Sequence, residues 1–325
     1  MCKLCTSNGI FTESELQICK NIEVIPNTLS CLFFLNCSNN NKISIIPDSI
    51  QYINSINMEY CKNILEIPKF TYLVNLNISF TLINHIPKQL FNLVKLECEG
   101  CLNLLTLPAE LTKLYFLKCS NTQICEIPDT YINLLYLYID NTNVFNLSLK
   151  IKKIKYLNCQ SSNKNIQLMN IHKKLTDLTY LNCANNNISV FNSYNNLKYL
   201  DCSNNPLYDL NKKINQIEYL NCANTFLIKL DINLSNIVYL NISNTEINEL
   251  SNDLDCLTTL IISYSKIKKL PDCLENLIHL DCSFSYINKL PNSIIIANRL
   301  NYLNCMKSQL YEIPIELTNL KHIEK

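Results

Sequence analysis

A six-residue pattern, Leu/Ile-x-x-Leu/Ile-x-Cys/Ile/Met, occurs fourteen times in this chain of 325 residues, about every 20 residues. Leu32-Phe33-Phe34-Leu35-Asn36-Cys37, Leu197-Lys198-Tyr199-Leu200-Asp201-Cys202 and Leu277-Ile278-His279-Leu280-Asp281-Cys282 are three copies from different thirds of the sequence. Self-similarity at a fixed short period specifies stacked units rather than a core closed by long-range topology. It also leaves almost no sequence over for anything else.

The second anchor of each copy falls at Leu35, Ile56, Leu76, Leu96, Leu117, Leu137, Leu157, Leu181, Leu200, Leu220, Leu240, Leu260, Leu280 and Leu303. Ile323 opens a further, partial unit. Steps are 19 to 21 residues except from Leu157 to Leu181 (24) and from Leu280 to Leu303 (23). Alternation within each copy is strand-like, because side chains two residues apart share a face. Leu200 and Cys202 are therefore expected inside, and Tyr199 and Asp201 outside. A polar turn follows each strand, then an apolar residue that is commonly followed by proline. Nine of the ten prolines occupy this slot, namely Pro26, Pro47, Pro68, Pro87, Pro108, Pro128, Pro271, Pro291 and Pro314. Proline lacks the N–H that a strand or helix interior uses. The few residues that follow, usually five or six, are too short for more than about one helical turn, so the back of each unit should be extended, 3₁₀ or polyproline-like. The two long links, 163–175 and 291–300, are each expected to hold a short helix.

With Leu73-Val-Asn-Leu76-Asn-Ile78-Ser-Phe-Thr81-Leu-Ile83 followed by Ile86-Pro87, the chain resembles the leucine-rich repeat family over about residues 16 to 325. The short period and the Leu/Ile-Pro signature are most similar to subtypes of 20 to 21 residues, including those of bacterial effector proteins. The resemblance implies a right-handed α/β-type solenoid, mostly β with little helix, with a parallel sheet on its concave face and an extended or 3₁₀ convex face. The expected organisation is an N-terminal cap over 1–21 and one elongated solenoid over 22–325. Fourteen parallel strands at roughly 4.8 Å give a length on the order of 65 Å. A composition heavy in Asn, Ile, Lys and Tyr, with two Gly and no Trp, suits an AT-rich coding genome such as those of giant viruses, amoebae or protozoa.

Two columns depart from the family pattern. The sixth position, usually Leu, is Cys in nine copies. The ninth, usually Asn or Cys, is often Thr or Ser, whose single hydroxyl has less bonding capacity than an amide for joining turn backbone of its own and the adjacent repeat. The stack is expected to rely correspondingly more on apolar burial.

Net charge is +1, from 28 basic and 27 acidic residues, with no basic stripe. That gives nucleic acid no electrostatic footprint. Residues 1–9 lack the apolar stretch of a signal peptide, and no apolar run approaches the ~20 residues of a membrane span. Eighteen cysteines would suit a secreted disulfide scaffold, but nine share the sixth column and two, Cys61 and Cys101, the ninth. Side chains that point in parallel do not meet disulfide geometry. Free thiols acting as small apolar fillers, in a reducing intracellular, cytoplasmic setting, are expected instead.

The outward third position is Tyr in six consecutive copies, Tyr136, Tyr156, Tyr180, Tyr199, Tyr219 and Tyr239. Beside it the fifth position reads Tyr138, Asn158, Asn182, Asp201, Asn221 and Asn241. The resemblance places both columns on the concave side, where the family binds proteins. Tyr supplies large contact area at low entropic cost and Asn adapts its hydrogen bonding. The competing structural role is tyrosine stacking between neighbouring strands. The candidate partner-binding residues are Tyr136, Tyr156, Tyr180, Tyr199, Tyr219, Tyr239, Asn182, Asp201 and Asn221. The same central copies lack the proline, carrying Leu147-Ser148, Phe191-Asn192, Leu210-Asn211, Leu230-Asp231 and Leu250-Ser251 in that slot, as duplication from a different ancestral unit would give.

Cys2-x-x-Cys5 with Cys19 or Cys31 has zinc-ligand residue types, but one such pair without a second at metal spacing reads as a thiol-bearing cap. No phosphate loop, nucleophile elbow or zinc-protease helix motif occurs. The four histidines fall in different copies, and His279 points away from the inward thiols that a Cys-His nucleophile would need. The expectation is therefore a non-catalytic interaction scaffold with no cofactor and no metal, binding an unidentified protein rather than nucleic acid or membrane. Two alternatives are a recognition subunit of a ubiquitin ligase or similar host-directed enzyme, and a structural or virion component.

Overall fold

The computed structural model describes residues 14–18, 20–161, 171–210 and 212–325. The strands fall into two compact units, 1–167 and 168–325. In the first, β1 (Glu15–Gln17), β2 (Phe34–Asn36), β3 (Ser55–Asn57), β4 (Asn75–Asn77), β5 (Lys95–Glu97), β6 (Phe116–Lys118), β7 (Tyr136–Tyr138) and β8 (Tyr156–Asn158) pair in parallel, each with its sequence neighbour. In the second, β9 (Tyr180–Asn182), β10 (Tyr199–Asp201), β11 (Tyr219–Asn221), β12 (Tyr239–Asn241), β13 (Thr259–Ile261), β14 (His279–Asp281), β15 (Tyr302–Asn304) and β16 (His322–Glu324) do the same. Register is the same at every pairing, third position on third and second anchor on second anchor. A uniform period produces this, because a slip by one residue would move every anchor to the solvent face. The outermost strands β1 and β16 extend the pairing beyond the fourteen full copies, β1 within the stretch expected to form the cap.

Each full copy buries both anchors to 2 % exposure or less. The sixth-position side chains lie beneath them, also buried, and all nine cysteines of that column are free thiols. Burial pushes the thiols of Cys98, Cys119, Cys159, Cys202, Cys222, Cys282 and Cys305 up, Cys282 to about 12. Two tyrosines take the slot three residues before the first anchor. Tyr131 and Tyr194 are buried, and their hydroxyls donate to the Pro108 and Ile171 carbonyls of the preceding repeat, both at 2.8 Å. A buried phenol needs such a partner.

On the back, the proline carbonyl commonly accepts the N–H three residues on, as in Leu90 to Pro87 (3.2 Å) and Tyr131 to Pro128 (3.1 Å). These are single turns rather than continuous 3₁₀ helix. Exposed Asn side chains tie one turn to the previous one, Asn92 donating to the Thr71 carbonyl (2.7 Å) and Asn276 to that of Asp255 (2.7 Å). The link 291–300 holds the one helix among the described residues, α1 (Asn292–Ala297), which ends at Asn298 in the left-handed conformation (φ 47°). Within the link 163–175, residues 163–170 lie outside the described set and the remainder forms turns.

The ninth column divides by chemistry. Hydroxyls of Thr81, Thr122, Thr142, Thr225, Thr245, Ser285 and Ser308 donate at 2.5–2.8 Å to the carbonyl of their own repeat's sixth residue. Asn205 reaches further. Its amide donates to Cys202 and Ser203 in its own repeat and to Cys183 in the previous one (3.0 Å), while its oxygen accepts Ile188 N–H. The Thr and Ser hydroxyls thus bond mainly within their own repeat, although Thr81 also meets the Cys101 thiol of the next one at 3.6 Å. Cysteine does better than its weak donor strength suggests, since Cys61 and Cys101 thiols lie 2.9 Å from the Cys37 and Ile78 carbonyls of the preceding repeats. Ser265 Oγ is buried without a hydrogen-bond partner.

Candidate interaction surface

Tyr180, Tyr199, Tyr219 and Tyr239 occupy the first position of β9 to β12, half-buried, on the face opposite the anchors. Their rings stack, with centroids 4.1, 4.2 and 4.2 Å apart and planes within 6–11° of parallel. Neighbouring strands lie ~4.8 Å apart, so the rings converge and this face of the 168–325 unit is concave. Burial raises the Tyr199 and Tyr219 hydroxyls, Tyr219 to about 12, and the neighbouring phenol adds to the shift in each. Both are neutral donors and acceptors across the physiological range.

The fifth position has a role that composition does not reveal. Its side-chain oxygen accepts the backbone N–H two residues on, as at Asn36, Asn57, Asn77, Asn182, Asp201, Asn221, Asn241 and Asp281, at 2.9–3.2 Å. This Asx turn bends the chain out of the strand. Asn182, Asp201 and Asn221, singled out above for recognition, are therefore first of all turn-formers. Asn221 keeps its amide on the surface, where it donates to Asp201 Oδ2 at 2.9 Å.

A further column escaped the sequence reading. The eighth residue of the repeat has positive φ at Asn39, Tyr60, Phe80, Gly100, Asn121, Asn141, Asn185, Asn204, Asn224, Asn244, Tyr264, Phe284 and Lys307. Asn and Gly tolerate this conformation best. Seven asparagines and a glycine at one position of the repeat are the signal that would have found it. Where aromatics take the slot they stack, Tyr60 on Phe80 (4.6 Å) and Tyr264 on Phe284 (4.3 Å). Gly100 lies under Phe80, where a Cβ would come within 2.5 Å of the ring.

In the 1–167 unit the tyrosine column is arranged differently. Phe116–Tyr136 and Tyr136–Tyr156 centroids are 6.1 and 6.3 Å apart and tilted by 32–33°. Tyr138, from the fifth position, contacts Phe116 at 5.4 Å and Tyr156 at 4.7 Å. Lys95 Nζ lies over the Phe116 ring at 5.0 Å.

The outward third, fifth and seventh positions carry the same net charge of −3 in each unit, three acids alone in one and five acids with two lysines in the other. In the β9–β16 repeats they carry Asp201, Asp281 and Glu324, while Lys307, in the turn after β15, lies over the Phe284 ring at 5.0 Å. In the other unit the same positions carry Glu15, Glu59, Glu97, Glu99 and Asp140 against Lys95 and Lys118, which pair with Glu97 and Glu99. The chain as a whole is +1.

Among the described residues no three His, Cys, Asp or Glu side chains converge as a metal site, and no helix is long and apolar enough to cross a membrane. Cys2, Cys5 and Cys19 lie outside the described residues, and Cys31 is an exposed free thiol.

No protein-family model and no curated protein matches the sequence. Solved structures do. A leucine-rich repeat protein of Leptospira interrogans superposes with a TM-score of 0.79 at 22 % identity, over 93 % of this chain and 87 % of that one. This is a leucine-rich repeat fold. The functional domain of InlJ from Listeria monocytogenes, described as including a cysteine ladder, gives 0.73 at 22 % identity over 87 % of this chain and 70 % of that one. YopM of Yersinia pestis, a leucine-rich effector protein, gives 0.71 at 20 % identity over 89 % and 88 %.

Proposed function

We propose that this leucine-rich repeat chain is a non-catalytic scaffold that binds a protein partner on the concave sheet face, with Tyr199 and Tyr219 as central anchors. The observation that carries the reading is the column Tyr180–Tyr239, four half-exposed rings held rigid by stacking at 4.1–4.2 Å. Rigid aromatic surface loses little entropy on binding and is typical of interaction hot spots. In the 1–167 unit Tyr136 and Tyr156 form a second aromatic surface of their own. The free thiols support a reducing, intracellular setting.

Affinity capture with wild type and with Tyr199→Ala/Tyr219→Ala tests the proposal. The double variant is expected to lose the captured partner while its circular dichroism is unchanged. Retention of the same partner by a folded double variant refutes it. Ligase subunits in the captured set would favour a recognition subunit, and self-assembly a structural component.

A further inference from the structure

The aromatic column of the 168–325 unit has one gap. Seven of the eight strands β9–β16 carry a Tyr or His ring at the third position, and β13 carries Thr259. The strands on either side present ring faces to that gap. Tyr239 stacks on Tyr219 at 4.2 Å (6°) and His279 on Tyr302 at 4.1 Å (1°), in each case on the side away from β13. Among the described residues no ring covers the face of Tyr239 or of His279 that looks onto Thr259. Burial lowers the His279 pKa, so that ring is neutral at pH 7 and offers an aromatic face rather than a charge. The fifth position changes in the same repeat. It is Ile261 on β13, where the other seven strands carry Asn, Asp or Glu.

The gap has the width of one ring. Tyr239 and His279 sit two strands apart, roughly 8.4–9.6 Å, which is two ring steps of 4.2 Å or two strand spacings. A planar ring midway lies about 4.2–4.8 Å from each face, close to the separation at which the neighbouring rings already stack. A threonine side chain ends at its γ atoms, where a tyrosine ring begins, so Thr259 floors the slot without filling it. Ile261, two residues on and on the same face, gives it an apolar side. A ring gains a stacked partner on both faces there, which an aliphatic side chain does not. A nucleotide base has the same planar face but brings a phosphate. Asp281 beside His279 repels it, and the third, fifth and seventh positions of the β9–β16 repeats hold no lysine or arginine to offset that repulsion.

We infer that the slot over Thr259, between Tyr239 and His279, takes one aromatic side chain of the protein partner as an anchor. The inference rests on the function proposed above and names the partner's chemistry. Aromatic anchors seated in pockets carry much of the affinity of protein interfaces.

The chain has no tryptophan, so the fluorescence of a Ser/Thr peptide with one central tryptophan reports on the peptide alone. The test is titration of that peptide with the full chain. Saturable binding with blue-shifted emission is expected. A peptide with Phe in place of Trp should displace it, and a Leu peptide or adenosine monophosphate should not. Thr259→Tyr fills the slot from within and is expected to weaken binding about 10-fold, while Thr259→Ser leaves it unchanged. Because its ring joins the two stacks, Thr259→Tyr should also raise the denaturation midpoint. The inference is overturned by equal displacement with the Leu peptide, by displacement with the nucleotide, or by unchanged binding to folded Thr259→Tyr. It is overturned too by no saturation up to about 5 mM peptide, or by a lowered midpoint, which means that no ring fits. If Tyr199→Ala/Tyr219→Ala loses the captured partner and Thr259→Tyr keeps it, the interaction face stands and the slot falls. If sedimentation shows a dimer that Thr259→Tyr dissociates, the occupant is a second copy and the inference is likewise overturned.

Discussion

Tyr136 and Tyr219 occupy the same repeat position, on strands of the same length and register, yet their rings are packed differently. Tyr219 lies in a parallel stack at 4.2 Å, whereas Tyr136 lies in a tilted cluster with its column neighbours more than 6 Å away. The cause is two residues further on. In the 168–325 unit the fifth position is a short Asn or Asp whose oxygen is held by its turn, so nothing stands between successive rings. In the 1–167 unit Tyr138 takes that position, and its ring comes within 4.7 Å of Tyr156. A column's identity therefore does not define its surface; the neighbouring column decides whether it is a flat stack or a faceted cluster.

The largest effect should be blind to this difference. Leu220→Ala and Leu137→Ala remove fully buried anchors beneath the two kinds of surface, and each is expected to cost ~3 kcal/mol. Chemical denaturation measures both; values that differ by more than about 1.5 kcal/mol would show that the surface stack supports the core.

Next come the ninth-column residues. Asn205→Ala loses bonds to two repeats and leaves buried carbonyls unpaired, so ~2–3 kcal/mol is expected. Thr142→Val loses bonds within its own repeat only, one given to the Ile139 carbonyl and a longer one accepted from Val144 N–H, for ~1 kcal/mol. Equal costs would mean that the inter-repeat bond of Asn205 contributes nothing.

The stacks themselves come third. A double-mutant cycle on Tyr199 and Tyr219 should give a coupling of about 1 kcal/mol, and one on Tyr136 and Tyr156 less than half of that. Tyr138→Asn removes the intruding ring and should raise the second coupling toward the first. Unchanged coupling after that substitution would break the explanation given above.

The smallest difference concerns pH. Tyr138 and Tyr219 are each raised to about 12 by burial, and buried Cys282 likewise from its ordinary 9.0. The native state then keeps protons that the unfolded chain releases between about pH 9 and 12, so stability is full below pH 9 and falls across that window. Denaturation midpoints from pH 7 to 11 should decline above 9. Tyr138→Asn and Tyr219→Phe should each lessen the decline slightly and to a similar extent.

Much of this architecture was legible before any coordinates. The second anchor and the sixth position of every full copy lie where period-2 alternation puts them, both buried, because one apolar face over so many equal repeats admits one register. The cysteine column was legible too, as buried filler. The fifth-position amides carry a second role that the sequence did not show. Asn182 and Asn221 look like adaptable surface donors in sequence, but an Asx turn is a local backbone event that residue type alone does not announce. The eighth position is marked in the sequence by its asparagines, though Tyr60, Phe80, Tyr264 and Phe284 interrupt the pattern. Stacking against the adjacent repeat holds these aromatics in a conformation they rarely adopt.

The sequence by itself determined the repeat length, the inward columns and so the parallel stacking of strands, since these follow from which residues must leave water. Only the tertiary structure decided what the outward columns became. Residues about 20 apart meet there side by side, and whether they stack, tilt or bond depends on neighbours that lie beside them across the sheet and far from them along the chain.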